Sequence, residues 1–168
     1  MAQPNVVWIT IDSLRADHTT LGDYERETTP TMSRLADAGH GFPNCIAHSK
    51  ATLLSSGAIL TGYAPTRTTL GVDGNVLPGG IRTIPERFSA AGYETACLSR
   101  NSYVSSATGL DRGFDRFQWL SSSTITKAGL WTVLKYLRNI RTHSADLKLD
   151  TAKHASPFLV NENAKDWL

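Results

Sequence analysis

The sequence predicts an α/β domain in which helices cover a mostly parallel sheet, and three observations carry that expectation. The run Val6-Val7-Trp8-Ile9-Thr10-Ile11 is short, β-branched and almost continuously apolar, the pattern of a strand covered on both faces in a parallel sheet. Two later segments open with helix-start residues and close on glycine, from Thr29 to Gly39 and from Thr83 to Gly92. Strand-like and helix-like segments follow one another as β, α, β, α, α, β, an order that packs helices over a sheet.

Each element has its own warrant. The first strand delivers Asp12 at its carboxyl end, where open α/β sheets collect their ligands. Polar chain follows to Thr28. Thr29 caps a helix with Pro30 at its first position, where a missing N–H is no loss, and Met32, Leu35 and Ala36 share one face before Gly39 ends it. Phe42 to Ala47 reads as a short strand that Pro43 demotes toward an edge or an irregular segment. The hydroxyl-rich stretch from His48 turns into an apolar helical pattern closed by Gly62, which puts Thr52 near a helix N-terminus. Thr83 and Glu86 have the spacing of a capping box, Gly92 ends that helix, and Tyr93 to Ser99 reads as the next strand. Leu110 to Leu120 has no period that assigns it. Lys127 to Arg141 reads as a helix packed on the domain, with Leu130, Val133, Leu134, Leu137 and Ile140 on one side and Lys135, Arg138 and Arg141 largely on the other. A last helix is expected over Pro157 to Leu168.

Composition narrows the function classes. With 168 residues, 40% of them hydrophobic and 19% charged, disorder, collagen-like repeats and a membrane-spanning protein are poor readings. Seventeen basic against fifteen acidic side chains leave a formal charge of +2, too small a margin to imply nucleic-acid binding. Cys45 and Cys97 form no disulfide framework and no zinc pattern, and both read as core residues. The opening residues show no basic n-region or apolar h-region, and no apolar run approaches about 18 residues, so the expectation is a cytoplasmic protein without a transmembrane segment.

An aspartate ending a strand and a hydroxyl at a helix N-terminus suit a tetrahedral oxyanion ester. The carboxylate can hold a divalent cation that polarises the ester. The helix end supplies N–H groups and the positive end of its dipole. A strand-end Asp also makes turns, and a Thr at a helix start also caps, so the pair gains weight only from its context.

That context is a resemblance. Asn5-Val6-Val7-Trp8-Ile9-Thr10-Ile11-Asp12-Ser13-Leu14-Arg15-Ala16-Asp17-His18 resembles the opening of the sulfatase family within the alkaline-phosphatase superfamily. Thr28-Thr29-Pro30 with Leu35-Ala36 and Gly39, then Phe42 to Ala47, resemble that family's next helix and strand. Leu60-Thr61-Gly62-Tyr63-Ala64-Pro65-Thr66-Arg67, Ile84-Pro85 to Gly92-Tyr93-Glu94-Thr95, and Gly113-Phe114-Asp115 are similar to further family landmarks. The resemblance covers 5–120. It implies the N-terminal part of an alkaline-phosphatase-like α/β/α domain, incomplete at the C-terminus: one partial catalytic domain over 1–168, with the motifs in 5–120 and a helical extension over 124–168.

The resemblance also implies the site. Counting back from Leu60-Thr61-Gly62, the nucleophile of the family's Cys/Ser-x-Pro-Ser-Arg motif falls on Thr52, with Ser55 as the motif serine. Asp12 is the implied first metal ligand and Thr52 a second, for a divalent cation, Ca²⁺ first and Mg²⁺, Mn²⁺ or Zn²⁺ as alternatives. Lys50, Ser55, Asn101 and His48 are the candidates for substrate contact. Formylglycine is not expected, because threonine is no ordinary substrate for that conversion. Leu54 stands in place of the motif proline, Ser56 in place of the arginine and Ser13 where many sulfatases have a second Asp. The family's downstream ligands, an Asp with a neighbouring His or Asn and further Lys and His groups, find no counterpart. The expected function is metal-dependent hydrolysis of a small-molecule or glycan sulfate or phosphate ester by a sulfuric ester hydrolase whose site is only partly present, weak or inactive in this chain. One alternative is an inactive fragment or binding remnant. Another is a phosphoethanolamine-transferase-like enzyme with a threonine nucleophile. Self-association through an uncovered sheet surface is also expected. Cys97-Leu98-Ser99-Arg100 mimics the nucleophile motif but is followed by no Leu-Thr-Gly, and His18, His48, His143 and His154 show no pair at metal-ligand spacing on a helix.

Overall fold

The computed structural model describes residues 3–120 together with 134, 138, 158, 160–165 and 167. These divide into two compact units, Met1–Ala47 and His48–Leu168.

The first unit holds single 3-10 turns at Ala16–His18 and Thr20–Gly22 and one helix, α1, over Pro30–Ala38. As expected, Thr29 is the N-cap residue, Pro30 opens the helix and Gly39 closes it. The Thr29 hydroxyl does not cap its own helix. It accepts from Thr20 N at 3.0 Å, while Thr29 N donates to Thr20 Oγ1 at 3.3 Å. Thr28 Oγ1 donates to the His18 carbonyl at 2.6 Å and Thr19 Oγ1 to the Ala16 carbonyl at 2.7 Å. Threonines thus bind the 3-10 turns to the start of α1, and Thr19 is the one buried residue among those described in this unit.

Two expected strands are absent. The run Val6 to Ile11 forms no strand and lies exposed, from 55% at Val6 to 76% at Ile9. Phe42 to Ala47 forms none either: Pro43 and Asn44 make a turn, Phe42 and Ile46 are exposed, and Cys45 is exposed rather than in a core. A strand exists only as one side of a ladder. Both segments have the side chains of strands, but no neighbouring strand pairs with them among the described residues. Leu35 is exposed as well, so the apolar face of α1 is only partly covered.

The second unit carries α2 (Thr52–Thr61), α3 (Pro65–Thr68), α4 (Ile84–Ala90), β1 (Ala96–Ser99), a 3-10 turn at Ser106–Thr108 and β2 (Arg116–Trp119). β1 and β2 pair in parallel, from Ala96 with Arg116 to Ser99 with Trp119. The expected strand over Tyr93 to Ser99 is therefore shortened to β1, and the unassigned stretch from Leu110 supplies its partner. Helices with a small parallel sheet make this the α/β fold that the sequence predicts. The core is Leu53, Leu70, Leu77 and Leu110, with Leu54, Leu60, Ile81 and Val104 packed against it.

Close approaches set its shape. A Cβ on Gly57 would lie 2.5 Å from Leu70 Cδ1, so glycine admits that leucine against α2. Gly113, at φ +86°, backs onto the first turn of α4, where a Cβ would strike the Glu86 backbone. The expected capping box is formed: Glu86 N donates to Thr83 Oγ1 at 3.2 Å and Thr83 N to Glu86 Oε2 at 2.6 Å. The buried Thr83 hydroxyl donates in turn to the Arg112 carbonyl at 2.9 Å, tying α4 to the chain entering β2. Just before the strands, Thr95 N donates to Asp115 Oδ2 at 2.8 Å and Asp115 N donates to Thr95 Oγ1 at 3.0 Å. These bonds set the parallel register.

The expected helix over Lys127 to Arg141 lies outside the described residues except at 134 and 138, which are helical; of the last helix, 158 and 160–165 are described and helical. Among the described residues no helix is long and apolar enough to cross a membrane.

Candidate functional site

Thr52 is the first residue of α2 and is half-buried. Leu53, Gly57, Ala58 and Thr61 anchor the helix on the core, and at its far end Thr61 Oγ1 donates to the Gly57 carbonyl and accepts from Tyr63 N while Gly62 turns left-handed at φ +74°. The Leu60-Thr61-Gly62 landmark is thus the stop signal of the helix whose first residue is Thr52. Among the described residues the Thr52 hydroxyl has no hydrogen-bond partner, and the first N–H groups of α2 lack intrahelical acceptors, as at any helix start.

The turn leading into α2 is built from serines. Ser49 Oγ accepts from Ala51 N at 3.0 Å, and Ser55 Oγ donates to the Ser49 carbonyl. Ser55, expected to touch substrate, therefore has its hydroxyl proton committed to the backbone and could donate to a sulfate only by releasing Ser49. His48 and Lys50 lie exposed on the same turn. Leu54, in place of the motif proline, packs on the core and against Gly71, where a Cβ would lie 2.7 Å from Leu54 Cδ1. That departure serves packing. Ser56, in place of the motif arginine, is half-buried and brings no charge.

Asn101 lies two residues beyond β1. Its Oδ1 accepts from Tyr103 N at 2.9 Å, and its carbonyl accepts from Ser99 Oγ at 3.1 Å and Val104 N at 3.0 Å. Those bonds shape the turn leaving the sheet. Cys97, the decoy, sits half-buried on β1, and burial pushes its thiol up to about 11, which keeps it protonated at neutral pH.

Asp12 belongs to the first unit and is exposed, with the Ser13 hydroxyl 3.5 Å from its Oδ1. Ser13 itself is left-handed at φ +58°, a conformation that costs a non-glycine residue about 1 kcal/mol. Nearby, Arg15 grips Asp17 through two nitrogens, with Nε 3.0 Å from Oδ1 and Nη2 2.5 Å from Oδ2, and this guanidinium, helped by His18 Nδ1 at 3.2 Å, holds the Asp17 carboxyl well below the usual range. Asp17 is thus taken by a cation. Asp12 and Thr52 offer oxygen donors, the kind a hard divalent cation takes. In number they fall short: among the described residues no three His, Cys, Asp or Glu side chains gather to hold a metal. These residues alone do not fit a complete metal centre.

Sequence reasoning passes over one arrangement, in which Arg67 and Arg87 meet at Tyr63. The signal for half of it is the four-residue spacing from Tyr63 to Arg67; Arg87 arrives only through the tertiary fold.

The family model described as Sulfatase matches residues 4–167. The chain is 30% identical over 99 residues to an arylsulfatase of Clostridium perfringens, covering 58% of this chain and 21% of that protein. It is also 30% identical over 113 residues to an N-acetylglucosamine-6-O-sulfatase of Bacteroides thetaiotaomicron, covering 65% of this chain and 20% of that protein. The chain thus spans about a fifth of the length of these relatives. No solved structure matches it significantly. With Asp12, the threonine opening α2 and the glycine stop behind it all falling within a match that runs nearly end to end, the chain belongs to the sulfatase family.

Proposed function

We propose that the chain is part of the catalytic domain of a sulfatase-family hydrolase of sulfate esters, with Thr52 as its nucleophile. The family match over 4–167 carries this reading, and the names of both relatives favour sulfate over phosphate esters. Thr52 Oγ1 attacks the sulfur in line with the ester oxygen. The bond from sulfur to that oxygen breaks, the alcohol leaves with the proton that threonine gives up, and water then releases hydrogen sulfate and restores the hydroxyl. Support comes from the place of Thr52 at the start of α2, whose free N–H groups and dipole favour an anion. Lys50 and His48, exposed beside it, are the side chains proposed to meet the ester oxygens, with Asn101 a further candidate.

In this reading Asp12 contributes one carboxylate to a divalent cation, calcium first. When bound, the cation would neutralise charge on the ester. The exposed apolar run from Val6 to Ile11 supports self-association of the chain, to be read as a concentration-dependent mass by light scattering.

The test is hydrolysis of aryl sulfates against aryl phosphodiesters by a protein extended to the relatives' length. Thr52→Ala is expected to lower kcat about a thousandfold or more, and Asp12→Ala to weaken calorimetric binding of Ca²⁺. Equal rates in wild type and Thr52→Ala would remove threonine from the chemistry.

A further inference from the structure

Two exposed arginines converge on one tyrosine beyond the C-terminal end of α2. Arg67, in the last turn of α3, lays its guanidinium over the Tyr63 ring with Cζ 4.4 Å from the centroid. Arg87, from α4, brings Nη2 within 3.5 Å of the Tyr63 hydroxyl. A guanidinium stacked on an aromatic face is attracted and held there while the N–H donors around its edge stay available. Among the described residues Arg67 donates to no acceptor, Arg87 reaches only the Tyr63 oxygen, and neither forms an ion pair. Two like charges are therefore gathered on one side chain without a counter-ion, and their repulsion is what a shared anion would relieve. Planar donor forks of this kind recognise the oxygens of sulfate and phosphate groups bidentately. The Tyr63 hydroxyl, accepting from Arg87, keeps its own proton to donate.

We propose that Tyr63, Arg67 and Arg87 form a binding site for a sulfate or phosphate monoester group. The site is separate from Thr52: α2 runs from Thr52 to Thr61 before Tyr63 is reached, a rise of about 15 Å. It does not depend on the proposed chemistry at Thr52, and it takes the anion for holding rather than for reaction.

Inorganic sulfate is the probe, titrated calorimetrically into the 168-residue chain at constant low ionic strength with chloride as the reference anion. Saturable binding in the millimolar range is expected, weakened about tenfold by Arg67→Ala and by Arg87→Ala. Tyr63→Leu should weaken it as well by removing the platform, and Arg67→Lys by less, since it keeps the charge and loses the fork. Far-UV circular dichroism checks that each variant is folded, and the two conservative exchanges at Tyr63 and Arg67 carry the test if an alanine variant is not. Arg82→Ala, an exposed arginine outside these contacts, should leave binding unchanged. An O-sulfated monosaccharide showing the same variant pattern identifies an esterified ligand, whereas binding of the inorganic ion alone identifies the free anion. Absence of saturable binding, or equal weakening by Arg82→Ala and Arg67→Ala, overturns the proposal.

Discussion

In residues 1–47 the large apolar side chains from Val6 to Ile11, with Leu35, Phe42 and Ile46, lie exposed, whereas residues 48–168 bury Leu53, Leu70, Leu77 and Leu110 against one another. The first unit is ordered by threonine hydroxyls that bond to backbone three to ten residues away, the second by leucines brought from more distant parts of the chain. The difference shows what local bonding can and cannot do. Hydroxyl-to-backbone bonds define turns and a helix start, but each is worth only about 1 kcal/mol net, and none removes apolar surface from water. The candidate metal ligand Asp12 thus sits on the region with little core, and Thr52 on the region with one.

The largest break of this contrast would come from paired truncations. Leu70→Ala, at a fully buried position, is expected to lower unfolding stability by about 3 kcal/mol in urea titration. Ile9→Ala should stay within about 0.5 kcal/mol. A comparable loss in both would mean that Val6 to Ile11 is buried in solution, for example by association. Next comes Gly113→Ala, which forces a Cβ toward Glu86 at a left-handed φ and should cost about 2 kcal/mol, seen as a lowered urea midpoint with unchanged slope.

Threonine substitutions sharpen the comparison at a finer scale. Thr83→Ala removes a cap and leaves the Arg112 carbonyl without its donor, for about 1.5 kcal/mol. Thr29→Ala breaks the exchange with Thr20 and should cost less, about 1 kcal/mol, because Thr29 is half-buried where Thr83 is fully buried.

The smallest effect concerns pH. Hydrogen bonds from Thr95, first from its backbone N–H and then from its side chain, hold the Asp115 carboxyl below its ordinary value, as Arg15 does for Asp17. A carboxyl lowered in the folded state contributes stability above the ordinary carboxylate pKa of about 4, and that contribution fades as pH falls through the lowered folded value. Asp115→Asn and Asp17→Asn should each flatten the fall of Tm below about pH 4. A fall as steep as in wild type would show that these carboxylates carry no linkage.

What is legible in the sequence is what a single turn of chain decides. The capping box of Thr83 and Glu86, Pro30 opening α1, Gly62 closing α2 and Thr52 standing at a helix start all depend on residues within four positions of one another. The candidate site is legible to the same depth: motif order nominates Thr52 and Asp12, while the commitment of Ser55 to the Ser49 carbonyl and of Asn101 to its turn appears only in the folded chain. The strands were harder for a physical reason. Val6 to Ile11 has the side chains of a buried strand, but a strand is a relation between two segments, and composition names only one of them. The partner of β1 lay in a stretch with no period, because four residues pairing in parallel leave little alternation to read.

Sequence by itself determined the family, the helix ends and the chemical type at positions 12 and 52, since these rest on local order and spacing. Only the tertiary structure decided that Gly57 yields to Leu70, that Gly113 seats against Glu86, that Leu54 serves packing and that Arg67 and Arg87 meet at Tyr63. Those contacts join residues far apart in the chain, and burial and charge act through distance in space, which order along a sequence does not carry.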